Sequence, residues 1–398
     1  MARFAEISFI VLLFFFVSSV LTDDLIHSYS SSTAPFQELK HAVTVVNIEV
    51  PVRVFRKGRF ENALTIEDFE VFEDGKPQLI EAVYLVKKTM IDKGQGPARS
   101  TIKPKIGRRH FVLIFEMDEY LPELSGVIDF FFKEVLEIGE TVWIITPLEN
   151  IQLKKEALAI MPRAKISDQM KARLKKDIRE AFIPLHSLIE DVKMWTILMS
   201  EAGENASAMS RSRDLIIERI VNWKTIDESQ FDALSDALKK IEGQKHVFFF
   251  YQKEEILLPS SDPIFSGNTL RREFYDHDRI HRAFADPSIT FHFLHLLKTR
   301  TDAHDVSIRE RDQFKVVEIG GGGFFDAFKE IAVTTGGWTE SSANPEFAFK
   351  KTVEAAENYY LLYYKPTEYR ADGRYKEIKV KIKGGGYDVS HRSGYIAK

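Results

Sequence analysis

The chain contains no cysteine. Disulfides, thiolate metal sites, a thiol nucleophile and a lipidated N-terminal cysteine are therefore excluded, and stability has to come from packing. Charge of one sign is also missing: 55 basic residues stand against 59 acidic ones, a formal net charge of −4. Neutralising a phosphate backbone calls for a basic face, so the composition argues against nucleic acid as a partner. Beyond Leu21 no apolar run approaches the roughly 20 residues that a membrane-spanning helix needs. The run that does exist, Ile7 to Leu21 behind Met1-Ala2-Arg3, has the charged start and short apolar stretch of a secretory signal. The expectation is a signal peptide over residues 1–22 and an exported protein, periplasmic or secreted. An uncleaved signal acting as an anchor would be its only membrane contact.

What the chain does have is length and aromatic mass. Its 398 residues are 44% hydrophobic and include 31 phenylalanines, enough for two or three globular domains. Residues 23–40 are polar, with Ser30-Ser31-Ser32-Thr33 and Pro35, and read as a flexible tether. Residues 41–90 alternate β-branched and polar positions around the turns Lys57-Gly58 and Asp74-Gly75, the pattern of a small β unit. From residue 106 to 358 short apolar runs alternate with helical periodicity, which predicts a parallel-dominated sheet covered by helices. The predicted strands are His110 to Phe115, Thr141 to Thr146, Lys245 to Tyr251 and Ile289 to Leu296. A helical insertion occupies about 163–242: Ile166, Met170, Leu174, Ile178 and Phe182 recur every four residues until Pro184 breaks the helix. Residues 359–398 return to β structure. Neither terminal β segment is large enough to bury a core alone, so both are expected in one β-sandwich into which the α/β domain is inserted.

Two segments carry a resemblance. Ala63-Leu64-Thr65-Ile66-Glu67-Asp68-Phe69-Glu70-Val71-Phe72-Glu73-Asp74-Gly75-Lys76-Pro77-Gln78 is similar to the N-terminal motif of the von Willebrand factor A-related family of exported bacterial proteins. Thr334-Thr335-Gly336-Gly337, Tyr359 to Pro366 and Arg392-Ser393-Gly394-Tyr395 resemble its closing motifs, and Leu238 to Val247 its helix-to-strand junction. The resemblance implies a Rossmann-like A-domain whose upper rim often holds a divalent metal through an Asp-x-Ser-x-Ser loop, a threonine and a further acid. Here the first strand is followed by Glu116-Met117-Asp118-Glu119-Tyr120-Leu121-Pro122, with acids but no serine pair, and the fourth by Gln252-Lys253. A lysine near the metal position opposes a cation on Coulomb grounds. Expected cofactors are therefore none, with Glu116 and Asp118 as the ligands that remain if a divalent cation binds.

Other chemistry is sparse. His277 and His281 lie four apart on a helix face and echo a zinc-protease helix, without an identifiable third ligand. His292 and His295, three apart on a strand, point to opposite faces. Gly320 to Gly323 lacks the ending of a P-loop and reads as a loop, and Asn205-Ala206-Ser207 as a connection. Alternate tyrosines of Tyr359 to Tyr364 are candidates for a surface contact with wet hydroxyls. The function expected is a noncatalytic, extracytoplasmic protein–protein interaction module with a degenerate metal-ion-dependent adhesion site. Tyr120, Lys253 and Glu254 are its candidate partner contacts. The alternatives are a metal-dependent enzyme using the His277 and His281 helix, or a structural component of an envelope complex.

Overall fold

The computed structural model describes residues 47–88, 90–93, 108–202, 210–221, 228–252, 255–259, 277–284, 286, 288–298, 314–318 and 324–397. The signal and tether expected over residues 1–40, the glycine run at 320–323 and Asn205-Ala206-Ser207 lie outside the described residues, as do Lys253 and Glu254. The chain is mixed α/β, with helices and several sheets.

Its first strands are β1 (Ile48–Arg56), β2 (Arg59–Phe60), β3 (Phe69–Glu73), β4 (Lys76–Gln78), β5 (Ile80–Lys87) and β6 (Met90–Lys93). The α/β part follows, with strands β7 (Arg109–Glu116), β8 (Thr141–Ile145), β9 (Asn150–Leu153), β10 (Gln244–Gln252), β11 (Glu255–Pro259), β12 (Ile289–Leu296), β13 (Phe314–Glu318) and β14 (Thr339–Ser342). Its helices are α1 (Leu124–Phe130), α2 (Lys155–Ile160), α3 (Arg163–Ala181), α4 (Ile183–Ala202), α5 (Ser210–Val221), α6 (Glu228–Lys239), α7 (His277–Ala283), α8 (Phe324–Thr334) and α9 (Pro345–Glu357). The last strands are β15 (Asn358–Tyr364), β16 (Tyr375–Ile382), β17 (Asp388–His391) and β18 (Gly394–Ile396).

The central sheet runs β14-β12-β10-β7-β8-β9. All neighbours are parallel except β8 and β9, which are antiparallel. In β7 and β10 nearly every residue is buried, because helices cover both faces and a polar side chain has nowhere to go on either. Phe111, Leu113 and Phe115 pack with α1, α3 and α9, whereas Val112 and Ile114 pack with α6, α7 and α8. Phe182 separates α3 from α4, and Pro184 sits in the first turn of α4, where its missing N–H costs nothing. Phe182, Leu185, Leu188, Val192, Trp195, Ile216 and Ile220 give this insertion a small core of its own.

The terminal strands form two sheets. One runs β17-β1-β15-β5-β6, the other β18-β16-β3-β4. Val50, Val52 and Val54 of β1 and Tyr360, Leu362 and Tyr364 of β15 share a core with Val71, Ile378 and Val380 of the second sheet. Each buried valine there contributes about 1.5–3 kcal/mol. Alternation places the other residues of β1 and β15 on the opposite face, and all six residues from Tyr359 to Tyr364 are buried. The surface contact expected of these tyrosines is therefore not formed. Two of their hydroxyls find partners inside instead: that of Tyr360 accepts from the Leu64 N–H at 3.0 Å, and that of Tyr364 donates to the Glu73 carboxylate at 2.6 Å.

Candidate functional site

In a parallel sheet the carboxyl ends of the strands open onto loops, and sites collect there. At this edge Met117 anchors the chain by complete burial in the core, and Asp118 follows it out of β7, itself only 7% exposed. Burial raises the Asp118 pKa, while the neighbouring Lys298 and His186 pull it back down. Lys298, two residues beyond β12, donates from Nζ to Asp118 Oδ2. Beside this pair the Gln252 side-chain oxygen, at the end of β10, accepts from the Glu119 N–H at 3.2 Å. Three adjacent strand ends thus share one polar cluster.

That cluster answers whether the residues fit a divalent cation. Asp118, one of the two expected ligands, is already neutralised by an ammonium held within the fold. Glu116 ends β7 half-buried, in register with Tyr251. The two buried polar atoms left without a partner are Asp118 Oδ1, an acceptor, and Gln252 Nε2, a donor. A donor amide repels a metal ion. The pair suits a neutral group that both donates and accepts, such as a backbone amide. Among the described residues no three His, Asp or Glu side chains gather into a metal-holding group. The residues do not fit the metal that the resemblance implies.

Nearby charges are matched in the same way. Asp177 on α3 accepts from the Thr146 hydroxyl at 2.7 Å, just beyond β8, and lies 3.9 Å from Arg173. The Tyr120 hydroxyl bonds Ser125 Oγ at 3.0 Å, and Lys175 lies over its ring. This interior engagement makes Tyr120, a half-buried residue, less free for a partner than its sequence position suggests. Exposed at this edge are Glu119, Leu148 and Leu297, the two leucines 51% and 44% exposed just past β8 and β12. The sequence reading missed both leucines and Lys298. Their signal is position: each stands two or fewer residues beyond a predicted strand end or its connecting turn.

His277 and His281 do share α7. His281 Nε2 lies 3.2 Å from the Thr334 hydroxyl, so one of its nitrogens is engaged, while the His277 side chain lies outside the described residues. His292 and His295 occupy opposite faces of β12: the first stacks on Phe248 and the second meets Phe325 edge to face.

No protein-family model matches this chain, and no curated protein matches it. Among solved structures the human COPII-coat protein Sec24c aligns over 73% of the chain and 43% of its own length, at 8% identity and a TM-score of 0.31. The chain thus spans less than half of that protein. A likeness this distant carries no argument about fold or function.

Proposed function

We propose that this chain is a noncatalytic, extracytoplasmic protein-interaction module of the von Willebrand factor A-related kind, in which an internal lysine stands in for the adhesion-site metal. The observation that carries this reading is the bond from Lys298 to Asp118 at the carboxyl edge of the sheet. Supporting it, in strand sequence the sheet places its first strand between its second and fourth, with a single antiparallel strand at one edge. An A-type Rossmann-like domain has that arrangement. The terminal segments enclose it as a sandwich base.

With the metal bridge replaced, a partner is held by direct contact. Leu148 and Leu297 supply apolar anchors on either side of the polar cluster. Tyr120 stands at the same edge, and Lys253 and Glu254, the other expected contacts, lie outside the described residues. The test is site-specific photocrosslinking from Glu119 in an envelope extract. One defined adduct, unchanged by chelator and lost in Leu148→Glu and Leu297→Glu, is the expected result. An adduct that requires magnesium, or that survives both substitutions, contradicts the reading.

A further inference from the structure

Two motifs quoted from the sequence meet at the opposite end of the sheet. In the Thr335-Gly336-Gly337 turn the Thr335 hydroxyl accepts from the Phe291 N–H at 3.0 Å, and a Cβ on Gly337 would lie 1.8 Å from the Phe291 carbonyl oxygen. Only glycine passes β12 that closely. Gly336, at φ +74°, turns its carbonyl to the Arg53 guanidinium, which also bonds the Ala355 carbonyl. Arg392, from the last motif, bonds the carbonyls of Ile289 at 2.7 Å and Asp286 at 3.3 Å. The two arginines line one cavity of about 500 Å³ between the sandwich and the amino ends of β10 and β12, within the size range of small-molecule sites.

The donors of this cavity are not used up. Both guanidiniums are 2% exposed or less, and neither forms an ion pair among the described residues. Arg392 Nε is buried without a partner. Burial holds both pKa values down at about 10, still charged at neutral pH. Two acids stand in the wall. The Asp286 carboxylate accepts from the Ser288 N–H at 2.8 Å and from the Ser288 hydroxyl at 2.5 Å and acts on both Lys245 and Arg392, while Glu49 stands at the mouth with its pKa raised by burial. His246, also in the wall, is neutral, its pKa lowered to about 3 by burial and by Arg109 and Arg53. A staple between layers accounts for the carbonyl bonds of the arginines. It does not account for an orphaned donor beside an open volume, because a buried donor left unpaired is costly.

We infer that this cavity binds a small organic anion, a carboxylate on an apolar body about the size of one aromatic ring, with the carboxylate taking the unfilled donors of Arg392 and Arg53. Its body packs against Pro51, Tyr359, Leu361 and Tyr369, which line the same space. Guanidinium suits this task because its planar fork matches a carboxylate and it stays charged when buried.

The test is calorimetric titration and thermal melting of the full chain with benzoate, using benzamide and inorganic phosphate as separate arms. Benzoate should raise the melting temperature by about 2 °C at a tenfold excess over its Kd, and the other two probes should not. Arg392→Gln should weaken benzoate binding about tenfold or more. Since that change can also loosen the junction, Tyr369→Ala, which leaves both arginines in place, is the second variant and should weaken benzoate binding while the chain remains folded. Equal shifts from benzamide would remove the anion from the argument, and equal shifts from phosphate would remove the apolar body. No heat with benzoate at about 10 mM, well above the weak millimolar range, overturns the inference outright, as does unchanged affinity in Tyr369→Ala.

Discussion

The rim at the carboxyl end of the central sheet and the cavity at the sandwich junction handle buried charge in different ways. At the carboxyl end Asp118 meets Lys298, and Asp177 meets Thr146 and Arg173, so acids are answered by groups of the same fold. At the junction cavity Arg53 and Arg392 bond backbone carbonyls, with the Asp286 charge near Arg392 but no ion pair among the described residues, and the adjacent imidazoles of His246 and His292 are held neutral. A matched pair is silent toward small ions, whereas an unmatched one invites an anion. Chain connectivity explains part of the contrast. The rim is built from loops within the α/β domain, while the junction must also hold two layers together, and arginine reaches carbonyls on both.

The largest expected effect lies at the junction. Arg53→Met removes two carbonyl bonds and leaves the Ala355 and Gly336 oxygens buried and unpaired; the loss should be about 3–4 kcal/mol, read as a lower urea midpoint at unchanged slope. At the rim, Lys298→Met should cost about 2–3 kcal/mol near pH 7.5 by stranding a charged Asp118. The sign with pH follows from burial. The folded pKa of Asp118 is already raised, and loss of the ammonium raises it further, so the native state binds a proton that the unfolded state does not. The penalty should therefore shrink as pH falls toward 5, and the double change Asp118→Asn with Lys298→Met should come within about 1 kcal/mol of the parent. A penalty independent of pH would mean that the pair is not coupled as described.

The histidines sharpen the contrast from the other side. His246 and His292 have folded pKa values below the ordinary 6.5, so they favour the fold above that pH and lose that contribution as pH falls below it, His246 down to about 3. Each should steepen the decline by up to about 1.4 kcal/mol per pH unit. His246→Phe should flatten the curve of stability against pH below 6.5; an unchanged slope contradicts the neutral imidazole. The smallest effect belongs to Tyr120→Phe, which loses one partly buried hydroxyl bond to Ser125 and should cost less than about 1 kcal/mol in the same urea assay.

Much of this architecture was readable in the residues, and the unreadable part has physical causes. The runs at 110–115, 245–251 and 289–296 declared buried strands because β-branched and aromatic residues dominate them. The size of the two terminal β segments implied that they share a core, and β1 pairs with β15 and β3 with β16. Strands β9 and β14 escaped notice because they are short, polar edge strands with only one neighbour to satisfy. The burial of both faces of Tyr359 to Tyr364 was hidden as well. A tyrosine on a strand gives no local sign of whether Glu73 or water receives its hydroxyl. At the rim the missing serines were legible, and a positive charge near the metal position was expected from Lys253. The ammonium that meets Asp118 is instead that of Lys298, which follows a strand two places over in the sheet and lies 180 residues away, and only the fold brings it there.

Melting of the parent chain and of Asp118→Ala across a magnesium titration tests most directly whether an internal lysine occupies the rim's cation position. The account predicts a flat line for the parent, with no saturable rise in melting temperature and no heat of magnesium binding. A saturable rise of several degrees in the parent, abolished by Asp118→Ala, would show a working metal site and contradict it.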